Sequence, residues 1–414
     1  MSRWSTSFAA LEIRDYRWLW TGNVGFFFAM QGQAMIVRPW IVYQMTGSEL
    51  ALGAISFAAA LPMIFFPPLG GVLADRYDRR NLIALFQAIV IVNEIAGALL
   101  YATGLLQYWH LLGLTFLNAG VFPFIMPARQ AIVANVVGRQ RLSNAMALSM
   151  TGMNAARVAA PPLAGFLIGA VGVLPTWIFG ISLYLLGTLS LLRVRACPPP
   201  QGAHGVSVGT RLMEGVRYLN GERMVLALLL FGLVPMFLMM PFQSLLVIFS
   251  ERVWRAGTEG LGLLNAAAGL GGVAGSMLIA VRGRSGGQLR LMLAGVLGFG
   301  SFLLVFSLAP SLRWALPCIF VANLFASIYG VVNNTAIQMV IPDEVRGRVS
   351  AFLMLSFSLP MLGTLPLSAI ALRFGAPAAV GGAALVAMLA GVIFVALSRE
   401  LRSVDARLAQ LGDE

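Results

Sequence analysis

Apolar runs of about 20 residues or more recur along this chain, each long enough to cross the roughly 30 Å hydrocarbon core of a bilayer. Apolar residues make up 59% of the 414, charged residues 11%, and the mean hydropathy is +0.84. A soluble fold of this length cannot cover so much apolar surface. The runs predict twelve membrane helices, over 17–44, 50–73, 82–104, 110–136, 144–170, 174–193, 224–249, 260–281, 290–309, 314–340, 350–372 and 376–398. The expected fold class is therefore an all-α membrane protein.

The formal charge of +12 invites a nucleic-acid reading, and its placement removes that reading. All 28 basic residues are arginine, with no lysine. If the N-terminus is inside, 21 of them fall in or beside cytoplasmic segments, Arg139, Arg141, Arg193 and Arg195 among them. The outside loops hold only Arg252, Arg255, Arg313 and Arg373. Such a bias in short loops places both termini in the cytoplasm. The first apolar run, from near Trp18, is too long for a signal-peptide core and lacks a cleavage site, so no cleaved leader is expected. Cys197 and Cys318 sit in different settings, remote from His110 and His204, so neither a disulfide nor a metal or other cofactor is expected. No G-x-x-x-x-G-K-[ST] sequence is present. ATP hydrolysis is therefore not expected. The expected partners are a small molecule and the bilayer, and the chain is expected to be a monomer.

Residues 194–222 form the long polar interruption, with Pro198-Pro199-Pro200 followed by Gly202, Gly205 and Gly209. They read as a linker whose second part, Thr210 to Asn220, has the pattern of a surface helix. The flanking segments repeat. Gly47-Ser48-Glu49 matches Gly257-Thr258-Glu259, and Gly53…Ala58-Ala59…Leu61 matches Gly262…Ala267-Ala268…Leu270. The loop expected at Arg139-Gln140-Arg141-Leu142-Ser143 matches Arg346-Gly347-Arg348-Val349-Ser350. All three matches lie at nearly the same offset, as in transporters built from two parallel repeats.

Between the second and third runs comes a burst of charge, Gly70-Gly71-Val72-Leu73-Ala74-Asp75-Arg76-Tyr77-Asp78-Arg79-Arg80. It resembles the signature loop between helices two and three of the major facilitator superfamily. The likeness is closest to the branch holding siderophore exporters and macrolide or multidrug efflux pumps, since the wider superfamily usually has Gly in place of Asp78. The resemblance implies two six-helix halves, 1–193 and 223–414, joined by the linker 194–222 around a central cavity. It also implies a gating latch at Gly71, Asp75, Arg76, Arg79 and Arg80. The segment 342–348, with Asp343, Arg346 and Arg348, resembles a loop of the same exporter branch. The second-half partner, Val281-Arg282-Gly283-Arg284, keeps basic charge and lacks the acid. The helix-four arginine–glycine pattern linked to proton antiport has no clear counterpart. The helix-five antiporter motif survives only as Gly152…Pro161-Pro162-Leu163-Ala164-Gly165.

Ionisable side chains in hydrocarbon are costly and usually functional. Four fall there: Arg38, Glu94, Arg129 and Arg157. Arg38 lies near a helix end, where snorkelling competes with function, and Arg129 about two turns from a loop. Arg157, about 14 residues into helix five, lies closest to mid-bilayer and is the sharpest candidate for a cavity or gating role. Glu94 is the acid deepest in the membrane, and two readings stand: a proton carrier, since apolar surroundings favour a carboxyl that can hold a proton, or a structural partner of an arginine.

Polar residues also share helix faces: Gln31 with Arg38, Asn118 with Phe122 and Arg129, Asn154 with Arg157, and Asn323 with Asn334. The resemblance implies that helices one, four, seven and ten line the translocation path. Interhelical hydrogen bonding is the alternative for any single Asn. In helix seven, Met236, Met240 and Gln243 lie in a Met- and Phe-rich stretch between Pro235 and Pro241, an adaptable wall suited to varied ligands.

The function that the resemblance implies is a secondary-active exporter in a bacterial inner membrane, with a proton gradient as its energy source, moving a small amphipathic molecule of siderophore or drug-like kind. A lipid or lysolipid flippase, or an importer of the same fold, is the alternative. A membrane enzyme is disfavoured, since the sequence shows no Ser-His-acid constellation. Asp75→Asn is expected to leave membrane insertion intact and to cut transport; normal transport at normal expression refutes the latch.

Overall fold

The computed structural model describes residues 8–198, 217, 221–282, 286–341 and 358–412. Gly283, Arg284, Asp343, Arg346, Arg348 and most of the linker lie outside them, as do the side chains of Asp75 and Arg139. The regular structure is helical. Nine helices among the described residues are long and apolar enough to cross a membrane, with Glu49–Phe65 and Leu359–Phe374 shorter and also apolar. The chain forms two compact units: Met1–Gly47 with Ala58–Gly205, and Ser48–Phe57 with Val206–Glu414.

In the first unit α1 (Arg14–Gly32) passes through a π-helical turn, Gln33–Val37, into α2 (Arg38–Thr46). Pro39 has no N–H to return to the preceding turn, and the wider π turn sits just before it. Gly47 ends α2 with φ +58°, its N–H bonding the Tyr43 carbonyl at 2.8 Å.

The expected unbroken helix 50–73 is two helices, α3 (Glu49–Phe65) and α4 (Pro67–Arg76). Pro67 and Pro68 cannot continue the hydrogen-bond ladder across Phe66, which explains the break. The third helix, α5 (Arg79–Ala102), begins at a side-chain cap: Asp78 accepts from the Asn81 N–H at 2.9 Å.

A second difference from expectation follows. The segment 139–143, expected as a loop, is helical. α6 (Tyr108–Gly138) and α7 (Gln140–Val171) meet at Gly138, whose φ of +69° only glycine adopts without strain. α8 (Val173–Leu192) completes the unit. α1 is fastened to α7 by Tyr16, donating to the Ala145 carbonyl at 2.6 Å, and by Trp20, donating to Leu148 at 2.9 Å. It meets α8 where Gly22 faces Gly187, a Cβ on Gly22 lying 2.7 Å from the Gly187 carbonyl. Such small-residue contacts are the usual device for close packing of membrane helices.

In the second unit α9 (Arg223–Leu238) gives way at Met239 to a 3₁₀ stretch, Met240–Leu245, and then a π turn, Phe249–Val253. The proline-flanked stretch thus breaks where Pro235 and Pro241 remove donors. α10 (Gly257–Arg282), α11 (Gln288–Ser307) and α12 (Leu312–Val340) follow, Gly271 and Gly275 of α10 lying against α12 carbonyls of Phe320 and Leu324. α13 (Leu359–Phe374) holds the Gly53 carbonyl through Thr364 Oγ1 at 3.1 Å. α14 (Ala376–Leu397) and two short terminal helices close the chain, with Asp405 accepting from the Gln288 N–H at 2.6 Å to cap α11.

Removing the Asp78 carboxylate leaves an orphan amide at the start of α5. Asp78→Ala is expected to cost about 1 kcal/mol, read as a lower melting temperature in detergent, with Asp78→Asn close to wild type.

Candidate functional site

The site of the first unit grows from α5, one face of which must be buried against α6 and α8. That face carries Gln87 and Glu94, each 1% exposed. Gln87 accepts from the Thr188 hydroxyl at 3.0 Å. A carboxylate so deep in the fold is tolerable only with donors on its oxygens, and three converge. Arg38 Nη2 forms a salt bridge to Oε1. Asn118 Nδ2 donates to the same oxygen at 2.6 Å, and the Trp177 indole N–H donates to Oε2 at 2.6 Å. Asn93 in turn donates to Asn118 Oδ1 at 2.9 Å and to the Leu114 carbonyl at 2.8 Å, fixing the orientation of the Asn118 amide. Trp177 is fully buried, and Gly97 makes room for its ring, a Cβ there lying 2.7 Å from Trp177 Cζ2.

In front of this network lies a cavity of about 30 Å³ lined by Phe26, Phe27, Arg38, Asn118, Phe122 and Arg129, among others. That volume holds about two waters. Asn118, Phe122 and Met126 are half-buried and form its more open side. Arg129 is 4% exposed, and none of its three guanidinium nitrogens has a hydrogen-bond partner among the described residues. Two aromatic rings face it instead: its Cζ lies 4.5 Å from the Phe26 centroid and 4.7 Å from that of Phe27. Desolvated cation–π contacts are worth about 2 kcal/mol. They hold the cation without using its N–H donors.

Of the expected cavity residues, Arg38, Asn118, Phe122 and Arg129 come together here. Gln31 does not line the cavity; the buried residue is Gln33, whose Nε2 donates to the Trp177 carbonyl at 3.3 Å. The π turn breaks the seven-residue register that made Gln31 and Arg38 look like neighbours. Asn154 and Arg157 are exposed and outside this cavity. Gly152, Ala156 and Ala160 form the buried face of α7, which turns Asn154 and Arg157 away from it.

In the second unit Asn323 is buried but donates to its own helix, to the Ile319 carbonyl at 2.9 Å, while Asn334 is exposed. Met236, Met240 and Gln243 are half-buried around the α9 break, the Gln243 amide 3.9 Å from Met240 Sδ.

In the charged loop, Gly71 and Asp75 belong to α4, with Asp75's side chain outside the described residues, and Arg76 is exposed. Arg79 is buried, its N–H bonding the Cys197 carbonyl at 3.1 Å, and Arg80 Nη1 donates to the Val194 carbonyl at 3.0 Å. Both arginines thus fasten the start of α5 to the chain leaving α8. Asp343, Arg346 and Arg348 lie outside the described residues. Sequence reasoning missed Trp177, Asn93 and Gln33. Asn93, beside Glu94, was the most findable of these.

Helices long and apolar enough to cross a membrane enclose a buried polar centre in the first unit; the family match and the relatives below make the chain a multi-pass transporter of the major facilitator type. A family model described as transmembrane secretion effector matches residues 5–411, and the chain belongs to that family. It is similar to the multidrug efflux pump Tap of Mycolicibacterium fortuitum, 27% identical over 389 residues, 91% of this chain and 94% of that protein. The enterobactin exporter EntS of Shigella boydii serotype 4 (strain Sb227) is 27% identical over 345 residues, 80% of this chain and 76% of that protein. Among solved structures, a bacterial homologue of the human lysosomal transporter Spinster superposes with TM-score 0.70 at 17% identity, covering 99% of both chains. The nucleoside transporter NupG superposes with TM-score 0.75 at 12% identity, covering 92% of this chain and 98% of that one. At these identities the two structures speak for the fold alone.

The buried pair yields a test. Glu94→Ala strands Arg38 without a counter-charge and is expected to destabilise by about 3–5 kcal/mol. The double variant Arg38→Met, Glu94→Leu is expected to recover most of that loss in detergent melting experiments.

Proposed function

We propose that this transporter exports a small amphipathic molecule with an anionic end by alternating access, with both termini in the cytoplasm of a bacterial inner membrane. The proposal includes twelve membrane helices in two six-helix halves, 1–193 and 223–414, with 194–222 as linker. The observation that carries the cargo reading is Arg129: a buried guanidinium beside a cavity, held by two phenylalanine faces, with no hydrogen-bond partner on its N–H donors among the described residues. A carboxylate, catecholate or phosphate end satisfies those donors, and the Phe26, Phe27 and Phe122 rings suit an aromatic or apolar body. The export direction and the siderophore or drug-like class are supported by the resemblance to Tap and EntS. Proton coupling belongs to the same proposal, with Glu94 as the carboxylate through which a proton enters the cycle. The loop residues Gly71, Asp75, Arg76, Arg79 and Arg80 are proposed to act as a latch between states.

A phosphate head group satisfies Arg129 as well as a catecholate does, so lysolipid movement is the second reading.

The test is accumulation in inside-out vesicles of a labelled catecholate siderophore and of a cationic dye, each with and without a protonophore. The siderophore is expected to accumulate, and Arg129→Gln is expected to lower that accumulation at least tenfold at unchanged expression. Dye accumulation without siderophore accumulation refutes the anion site.

A further inference from the structure

Two charged side chains, Arg38 and Arg129, line the cavity of the first unit. Arg38 is matched by Glu94, which also accepts from Asn118 and Trp177. Arg129 has no acceptor on its nitrogens among the described residues, and the rings of Phe26 and Phe27 face it. We propose that this site takes a substrate end carrying one negative charge and rejects an end carrying two. This rests on the reading of Arg129 as the anion's receptor and adds the charge of the substrate class it selects.

Two arginines and one paired carboxylate leave the site one net positive charge. A monoanion brings that count to zero. A dianion leaves a negative charge uncompensated between apolar walls, which is costly where water is excluded. The groups that could answer that second charge are already engaged. Arg38 Nη2 and Asn118 Nδ2 both bond Glu94 Oε1, so neither turns to a ligand without unmaking the buried pair.

The donors of Arg129 set the same limit. Phe26 and Phe27 meet edge to face with centroids 6.2 Å apart. That is nearer than a sandwich around the guanidinium would allow, so the rings wall it on two adjoining sides. The remaining N–H fork is saturated by the two oxygens of one carboxylate. A carboxylate, a catecholate or a phosphodiester satisfies this count. A phosphate monoester in its doubly charged form exceeds it.

The experiment is calorimetric titration of the purified full chain in lipid nanodiscs, at one neutral pH, with phthalate, its monomethyl ester and its dimethyl ester. The three differ by one charge at each step on the same ring, and the adjacent carboxyl groups bring both charges to one end. The monoester is larger than phthalate, so exclusion by size predicts the opposite order. Wild type is expected to bind the monoester tighter than phthalate by about tenfold or more, and tighter than the diester by a similar factor. Arg129→Gln is expected to lose monoester binding.

Two variants each raise the count by one positive charge. Glu94→Gln does so behind the cavity, and Met126→Arg does so on its more open, half-buried side, where a charged side chain is compatible with the fold. Both are expected to bring phthalate to at least the affinity of the monoester; if Glu94→Gln does not fold, Met126→Arg decides. Phthalate bound by wild type as tightly as the monoester, with both lost in Arg129→Gln, overturns the charge limit and leaves the anion site standing. A wild-type preference for the monoester that Met126→Arg leaves unmoved does the same. No monoester binding by wild type, equal binding of the diester, or binding unchanged in Arg129→Gln overturns the anion site and the charge limit with it.

Discussion

Charge buried in a low-dielectric interior is the constraint around which the first unit is organised. Removing a carboxylate and a guanidinium from water costs several kcal/mol for each ion, and only close pairing with further hydrogen bonds offsets it. Glu94 meets that condition with Arg38, Asn118 and Trp177, supplied by three other helices. The π turn that carries α1 into α2, the glycine that admits the Trp177 ring and the Asn93 contact that orients Asn118 all serve this one carboxylate. Tertiary packing and polar chemistry are the same problem here.

Arg129 is the counter-example that makes the site a candidate for binding. It is as buried as Arg38 but is faced by aromatic rings instead of a carboxylate. A cation held by ring faces keeps its N–H donors available, whereas one paired to an acid does not. Arg38 is thus paired with a carboxylate, and Arg129 is the arginine proposed to meet a ligand. Both line the same cavity.

Small residues do comparable work for the backbone. Gly22 opposite Gly187 sets the approach of α1 to α8, and Gly271 and Gly275 set that of α10 to α12. In a membrane no hydrophobic force separates helix from lipid, so close van der Waals packing and interhelical hydrogen bonds carry the association. The prolines mark the opposite case. Pro67-Pro68 and the Pro235–Pro241 stretch break their helices where the ladder loses donors.

Fold class and most helix positions were legible in the sequence because run length and composition answer directly to bilayer thickness. The charged burst and its family likeness were legible as well. Arg38, Glu94, Asn118 and Arg129 could be singled out because each is a polar break in an apolar run, and Phe122 because it shares a helix face with Asn118 and Arg129. Which of them meet was a matter for the tertiary structure. Face-sharing at intervals of seven assumes an unbroken α-helix, and the π turn at Gln33–Val37 exchanged Gln31 for Gln33. Depth along a helix does not say which side it buries, so Arg157, the deepest by count, lies on the exposed side of α7. Nor could Trp177 be recognised as a carboxylate's partner, since an indole in an apolar run reads as core until the oxygen beside it is seen. The sequence determined that charge would be buried in a membrane; packing decided that Glu94 pairs with Arg38 and that Arg129 meets ring faces and no acceptor among the described residues.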